Sequence, residues 1–133
     1  MNILFVCKYN RFRSRIAESY FKKINKNKTF KVKSAGLFKG RPISKFQQKV
    51  AKEIGLNIKG KPQGLSTKLL IWQDVMIIVA DDVPQSIFNN KEYGKKTIVW
   101  KLPDALVDNK KQTANLIKAI MKKVDKLISK ELK

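Results

Sequence analysis

The sequence has no histidine and only one cysteine, Cys7, in 133 residues. The first absence removes every Ser-His-Asp and Cys-His catalytic pairing. The second removes any intramolecular disulfide, and together they exclude the common zinc-ligand sets. Acidic residues are scarce as well: ten Asp and Glu face thirty Lys and Arg, for a formal net charge of +20. No stretch approaches the roughly 18 apolar residues that mark a membrane span. The apolar run at residues 3–6 is too short for a signal peptide and follows no basic segment. What remains is an ordinary folded composition, 43% hydrophobic, which argues against disorder. The chain is expected to form a single soluble, cytoplasmic domain over residues 1–133, with no metal and no cofactor.

The charge is uneven. Residues 1–62 carry 17 basic and 2 acidic side chains, a net of +15, and residues 63–133 carry 13 and 8, a net of +5. Such a field attracts phosphates, nucleic acid or acidic proteins without specifying a site. Arginine is more selective. Against 26 lysines there are four arginines, and Arg11, Arg13 and Arg15 fall within five residues, leaving only Arg41 elsewhere. Arginine presents a planar fork of donors that matches an oxyanion, which lysine does not.

Hydrophobic periodicity orders the chain. Residues 2–6 form an apolar run that ends at Cys7 and reads as a strand buried on both faces. After a polar loop, Ser14 is expected to cap a helix with Ile16, Ala17, Tyr20, Phe21 and Ile24 on its apolar face. Residues 29–34 alternate as a second strand, followed by a loop holding Gly36 and Gly40. Phe46, Val50, Ala51 and Ile54 predict a helix that stops at Gly55. Residues 57–64 read as a loop with a short extended piece, and Ser66 as the cap of a short helix through Trp72. Residues 75–80 form a third strand, 85–89 a short helix, and 97–100 a fourth strand. Asp108 is expected to cap a long last helix with Leu116, Ile117, Ile120, Met121, Val124, Leu127 and Ile128 on one face. Strands alternating with helices imply a parallel sheet covered on both faces, with ligands bound beyond the carboxyl ends of the strands. Cys7, Asp81 and Asp104 each follow such an end.

The sharpest pattern is Cys7-Lys8-Tyr9-Asn10-Arg11-Phe12-Arg13-Ser14, placed between a buried strand and a helix. A loop wrapped this way turns its amide groups toward one point, and the helix amino terminus adds partial positive charge. An oxyanion would sit there, clamped by Arg13, above a thiol whose ionised form the same cradle favours. That arrangement supplies a nucleophile without a histidine base.

These residues resemble the low-molecular-weight protein tyrosine phosphatase family. The resemblance rests on Phe5-Val6-Cys7, Asn10, Arg13-Ser14 and Ile16-Ala17-Glu18. It continues through Ser34-Ala35-Gly36, Val79-Ala80-Asp81 and Pro103-Asp104, in the family's order along nearly the whole chain. It implies a three-layer α/β sandwich around a four-stranded parallel sheet of order 2-1-3-4, flavodoxin-like. It also implies a two-step phosphoryl transfer from a phosphorylated substrate, either protein phosphotyrosine or a small aryl phosphate. Cys7 would be the nucleophile, Arg13 the oxyanion clamp and Asp104 the general acid and base. Ser14 would assist the sulfur as leaving group, and Asn10 would hold the loop in a left-handed conformation. Lys8, Tyr9, Asn10, Arg11, Phe12 and Ser14 would bind substrate, with Phe38 as one wall of the pocket. Asp108 is the competing carboxylate to Asp104, although capping of the last helix suits it better.

The sequence also departs from the family. Tyr9 stands where the family has a loop glycine, and Phe12 where it often has a second cysteine. Ala105 and Leu106 replace the usual proline and aromatic after the acid. These departures keep a second reading open, an anion-binding module that recognises phosphorylated or nucleic-acid partners. For nucleic acid, contact would be salt-sensitive and sequence-blind. Arsenate reduction, a chemistry that shares the fold, ranks lower because its thiol relay needs cysteines beyond Cys7. A monomer or weak dimer is expected.

Overall fold

The computed structural model describes residues 1–88 and 96–132. Four strands, β1 (Asn2–Cys7), β2 (Lys31–Gly36), β3 (Val75–Val79) and β4 (Lys96–Trp100), form one sheet in the order β2-β1-β3-β4. All three pairings are parallel. The helices are α1 (Arg13–Ile24), α2 (Lys45–Glu53), α3 (Thr67–Trp72) and α4 (Lys110–Lys126). A 3-10 turn covers Gln85–Phe88, and a π-helical turn, Leu127–Glu131, extends α4. Asn89, the last residue of the helix expected at 85–89, lies outside the described residues.

The buried strands show why this chain makes a three-layer sandwich. Side chains along a strand alternate between faces, and both faces here are dry. Ile3, Phe5, Val75, Ile77 and Val79 enter one cluster with Ile16, Phe21, Val50, Ile117, Ile120 and Val124 from α1, α2 and α4. Leu4, Val6, Met76 and Ile78 enter the other with Leu69 of α3, Val83 and Phe88. Phe5 anchors the first cluster, with ring centroids 6.0 Å from Phe21 and 5.9 Å from Trp100. Truncating such a side chain costs about 3–5 kcal/mol.

Several expected boundaries shift for local reasons. β2 starts at Lys31 rather than Thr29, because the Asn27 side chain accepts from the Thr29 amide and hydroxyl and holds a turn there. α1 starts at Arg13 with Phe12 in the capping position and no side-chain cap, so Ser14 is not the cap. Its hydroxyl is engaged below the cysteine instead. α4 is capped by Asn109, whose Oδ1 accepts from the Gln112 amide at 3.0 Å, so Asp108 is not the cap either. Ser66 does cap α3, accepting from the Leu69 amide at 3.2 Å. α2 ends as expected before Gly55, which takes φ +93. The extended piece in residues 57–64 reduces to one bridge, Gly36 with Gly64. Among the described residues, no helix is long and apolar enough to cross a membrane.

Candidate active site

β1 delivers Cys7 to the carboxyl edge of the sheet, beside Gly36 of β2. Five residues intervene before α1 begins with Arg13 and Ser14. Asn10 makes the tight turn between them: its φ of 56 is the one positive value at a non-glycine position among the described residues. Asparagine tolerates that conformation. Tyr9 therefore needs no glycine-like backbone. The closeness a loop glycine would allow is supplied from outside. A Cβ added to Gly36 would lie 2.6 Å from the Tyr9 carbonyl carbon and 2.7 Å from the Asn10 nitrogen.

The buried Asn10 side chain organises a polar network under the loop. Its Oδ1 accepts from the Gln63 amide at 3.0 Å, which fixes the amide orientation. Its Nδ2 then donates to Ser14 Oγ at 2.8 Å and to Ser34 Oγ at 3.0 Å. Ser34 in turn donates its hydroxyl hydrogen bond to Glu18 Oε1 at 2.6 Å. Ser14 Oγ lies 3.0 Å from Cys7 Sγ. Because Ser14 already accepts from Asn10, its hydroxyl proton is free to serve a Cys7 thiolate.

Arg13 is 1% exposed. Its Nη1 donates to the Leu102 carbonyl at 2.8 Å, and its Nη2 to Asp82 Oδ1 at 2.9 Å. Asp81 and Asp104 stand 3.8 Å away. The segments that follow β1, β3 and β4 thus meet at one guanidinium. No acid lies in the first turn of α1, although acids there favour a helix. Placing Arg13 at the positive end, in the cleft lining, suits an anion better than helix stability.

Cys7, Tyr9, Arg11, Phe12, Arg13, Gln47 and Asp104 line a small cleft of about 10 Å³, open to solvent. The other expected site residues sit around it. Asn10 and Ser14 are buried beneath the loop. Lys8 and the exposed Phe38 flank the Tyr9 ring. Phe12 faces the cavity and also belongs to the core. Asp108 is exposed and does not line the cavity.

Sequence reasoning missed Gln47, whose Nε2 donates to the Ala105 carbonyl at 3.3 Å and ties the Asp104 loop to α2. It also passed over Asp82 as the partner of Arg13. Adjacent aspartates after a strand read as a turn, and nothing in their spacing marks an arginine 69 residues away. Arg15 turns from the cavity. It donates to the Asn10 carbonyl and the Lys59 carbonyl, each at 2.7 Å. Burial pulls its pKa below the usual arginine value, opposed by Glu18 and then by Cys7.

Residues 2–133 match the family described as low molecular weight phosphotyrosine protein phosphatase. The chain belongs to that family. Among solved structures, it is similar to a low molecular weight protein tyrosine phosphatase from T. tengcongensis, at 28% identity and TM-score 0.84, covering 98% of this chain and 99% of that one. It is similar in fold to the YwlE arginine phosphatase of Geobacillus stearothermophilus, at 22% identity and TM-score 0.83 over 98% and 92%. It is also similar in fold to an arsenate reductase from Archaeoglobus fulgidus, at 22% identity and TM-score 0.75 over 96% and 99%. No curated protein matches. The low molecular weight phosphatase fold thus carries several activities, and the site has to discriminate among them.

Proposed function

We propose that this protein is a cysteine-dependent phosphatase acting on phosphate monoesters, protein phosphotyrosine or a small aryl phosphate. The observation that carries the reading is the shared cavity: Cys7, Arg13 and Asp104 line one small space, with the Ser14 hydroxyl against the Cys7 sulfur. The Cys7 thiolate attacks phosphorus in line, forming the S–P bond as the ester P–O bond breaks. Asp104 protonates the departing oxygen. As a carboxylate it then takes a proton from water, whose oxygen attacks phosphorus and releases Cys7 and inorganic phosphate. Arg13 and the amides of residues 8–14 stabilise the equatorial oxygens. Asp82 and the Leu102 carbonyl hold the guanidinium in place before substrate arrives, which lowers the ordering required at the transition state. A reducing, cytoplasmic setting suits a lone catalytic thiol.

Hydrolysis of para-nitrophenyl phosphate tests this directly. Wild-type turnover should vanish in Cys7→Ser while phosphate binding persists. Turnover surviving in Cys7→Ser would sink the proposal. The ion pair between Arg13 and Asp82 at 2.9 Å favours a second reading, a catalytically weak anion-binding module. Phosphate binding with no aryl phosphatase activity would select it. Arsenate reduction would require an external thiol to resolve Cys7, since no second cysteine exists in the chain.

A further inference from the structure

The outer wall of the cavity is built from two segments fastened together. The amides of Leu37 and Phe38 donate to the Cys7 and Lys8 carbonyls at 2.8 and 2.9 Å. Arg11 Nε donates to the Pro42 carbonyl at 2.8 Å. The Tyr9 ring stands on this wall, its centroid 6.1 Å from that of Phe38. The Arg41 guanidinium carbon lies 4.9 Å from the Tyr9 centroid, and Lys8 Nζ lies 5.4 Å from it. Two cations, Lys8 and Arg41, therefore flank the Tyr9 ring, and a third, Arg11, lines the cleft with Tyr9 and is tied to Pro42.

Among the described residues, no carboxylate forms an ion pair with Lys8, Arg11 or Arg41. Residues 1–62 contain only Glu18 and Glu53 as acids. Glu18 is taken by Lys22 at 2.9 Å and by Ser34, and Glu53 by Lys110 at 3.0 Å. Among the described residues, the wall cations are held by ring faces and carbonyls rather than by carboxylates. A cation resting on an aromatic face keeps its charge available to a second partner.

We propose that Lys8, Arg11 and Arg41, together with Tyr9, form a specificity wall for phosphopeptides with acidic residues flanking the phosphorylated side chain. The proposal rests on the phosphatase reading above and names its substrate class. Carboxylates next to the phosphate would meet cations that have no acidic partner among the described residues, and the Tyr9 and Phe38 rings offer a surface to a flat side chain. Nucleic acid fits less well, because the wall is a single cluster beside one small cleft and not a track along a backbone.

The test compares two phosphotyrosyl peptides that differ only in glutamate or lysine on both flanks, with para-nitrophenyl phosphate as reference. Exposed ion pairs contribute about two- to fivefold each, so kcat/KM should favour the acidic peptide by about tenfold. The preference should shrink in high salt. Arg41→Glu should erase most of it, and Arg41→Gln about half. Lys122→Glu on α4 makes the same charge change far from the wall and should leave the preference intact. Equal kcat/KM for both peptides, while the aryl phosphate is hydrolysed, would overturn the wall and spare the phosphatase reading. Equal losses from Arg41→Glu and Lys122→Glu would assign the effect to net charge and overturn it as well. If no substrate is turned over, the phosphatase reading falls, and binding to Cys7→Ser decides the wall. Tighter binding of the acidic phosphopeptide supports it, and equal affinities overturn it. An oligonucleotide of matched charge competing as strongly as the acidic peptide would overturn the peptide assignment.

Discussion

Ser14 holds its hydroxyl oxygen 3.0 Å from the sulfur of Cys7, from the first turn of α1. The residue that looked like a helix cap instead hydrogen-bonds the sulfur of Cys7, the proposed nucleophile. A hydrogen bond to a charged partner contributes about 1.5–3 kcal/mol. Ser14→Ala should therefore slow breakdown of the cysteinyl-phosphate by about ten- to a hundredfold. Burst kinetics with an aryl phosphate would show it: the burst persists and the steady phase falls. A lost burst with an unchanged steady rate would contradict the role.

Asn10 serves the same loop in two ways, through a left-handed backbone and a side chain with three partners. Asn10→Gly keeps the backbone freedom and loses the partners. Asn10→Ala loses both, and a left-handed conformation costs a non-glycine residue about 1–2 kcal/mol. Denaturant midpoints should rank wild type above Gly and Gly above Ala. Equal stability of the two variants would remove the backbone argument.

Gly36 presses on that turn from β2. An alanine methyl there would meet backbone atoms at 2.6, 2.7 and 2.8 Å, whereas at Gly64 the closest approach is 3.2 Å. Overpacking of a buried site costs about 1–3 kcal/mol. Gly36→Ala should lose more stability than Gly64→Ala and should also depress phosphate binding, which calorimetry would measure.

Asp104 and Asp108 make a direct comparison. Asp104 lines the cavity and stands 3.8 Å from Arg13, while Asp108 is exposed. Asp104→Asn should reduce kcat by about 10²–10⁴-fold, most for poor leaving groups. Asp108→Asn should stay within about twofold of wild type. The reverse pattern in a leaving-group series would move the acid to Asp108.

Away from the site, Tyr20 on α1 donates to Asp125 Oδ1 on α4 at 2.7 Å. Burial, then the hydrogen bond and charge of Asp125, push its pKa up to about 12. An unfolded tyrosine releases its proton near pH 10. Between those values the folded state binds more protons, so stability falls as pH rises. The contribution is fully present below about pH 10 and is lost through about pH 12. Ultraviolet titration should show a late tyrosinate component that Tyr20→Phe removes.

Much of this protein was legible locally. Residues 2–6 and 75–80 read as buried strands because continuous apolar runs have no wet face to alternate toward. The Cys7 to Ser14 spacing placed a thiol, an arginine and a hydroxyl on one loop, since chain connectivity alone brings them together. Phe38 and Asp104 were named from sequence, yet their positions relative to Tyr9 and Arg13 come only from folding.

Tertiary structure decided whatever depends on partners distant in sequence. The sequence singled out Arg13 among three clustered arginines but not their partners: Arg15 reaches the Lys59 carbonyl, Arg13 reaches Asp82, and Arg11 stays at the wall beside Pro42. A missing loop glycine looked like a defect until Gly36 took up the close approach from the neighbouring strand. The scarcity of acids and histidine was a property of composition that already pointed to an anion and a thiolate. Which cations remain without an acidic partner among the described residues was decided by packing, because ion pairing acts over a few ångströms of space and is blind to separation along the chain.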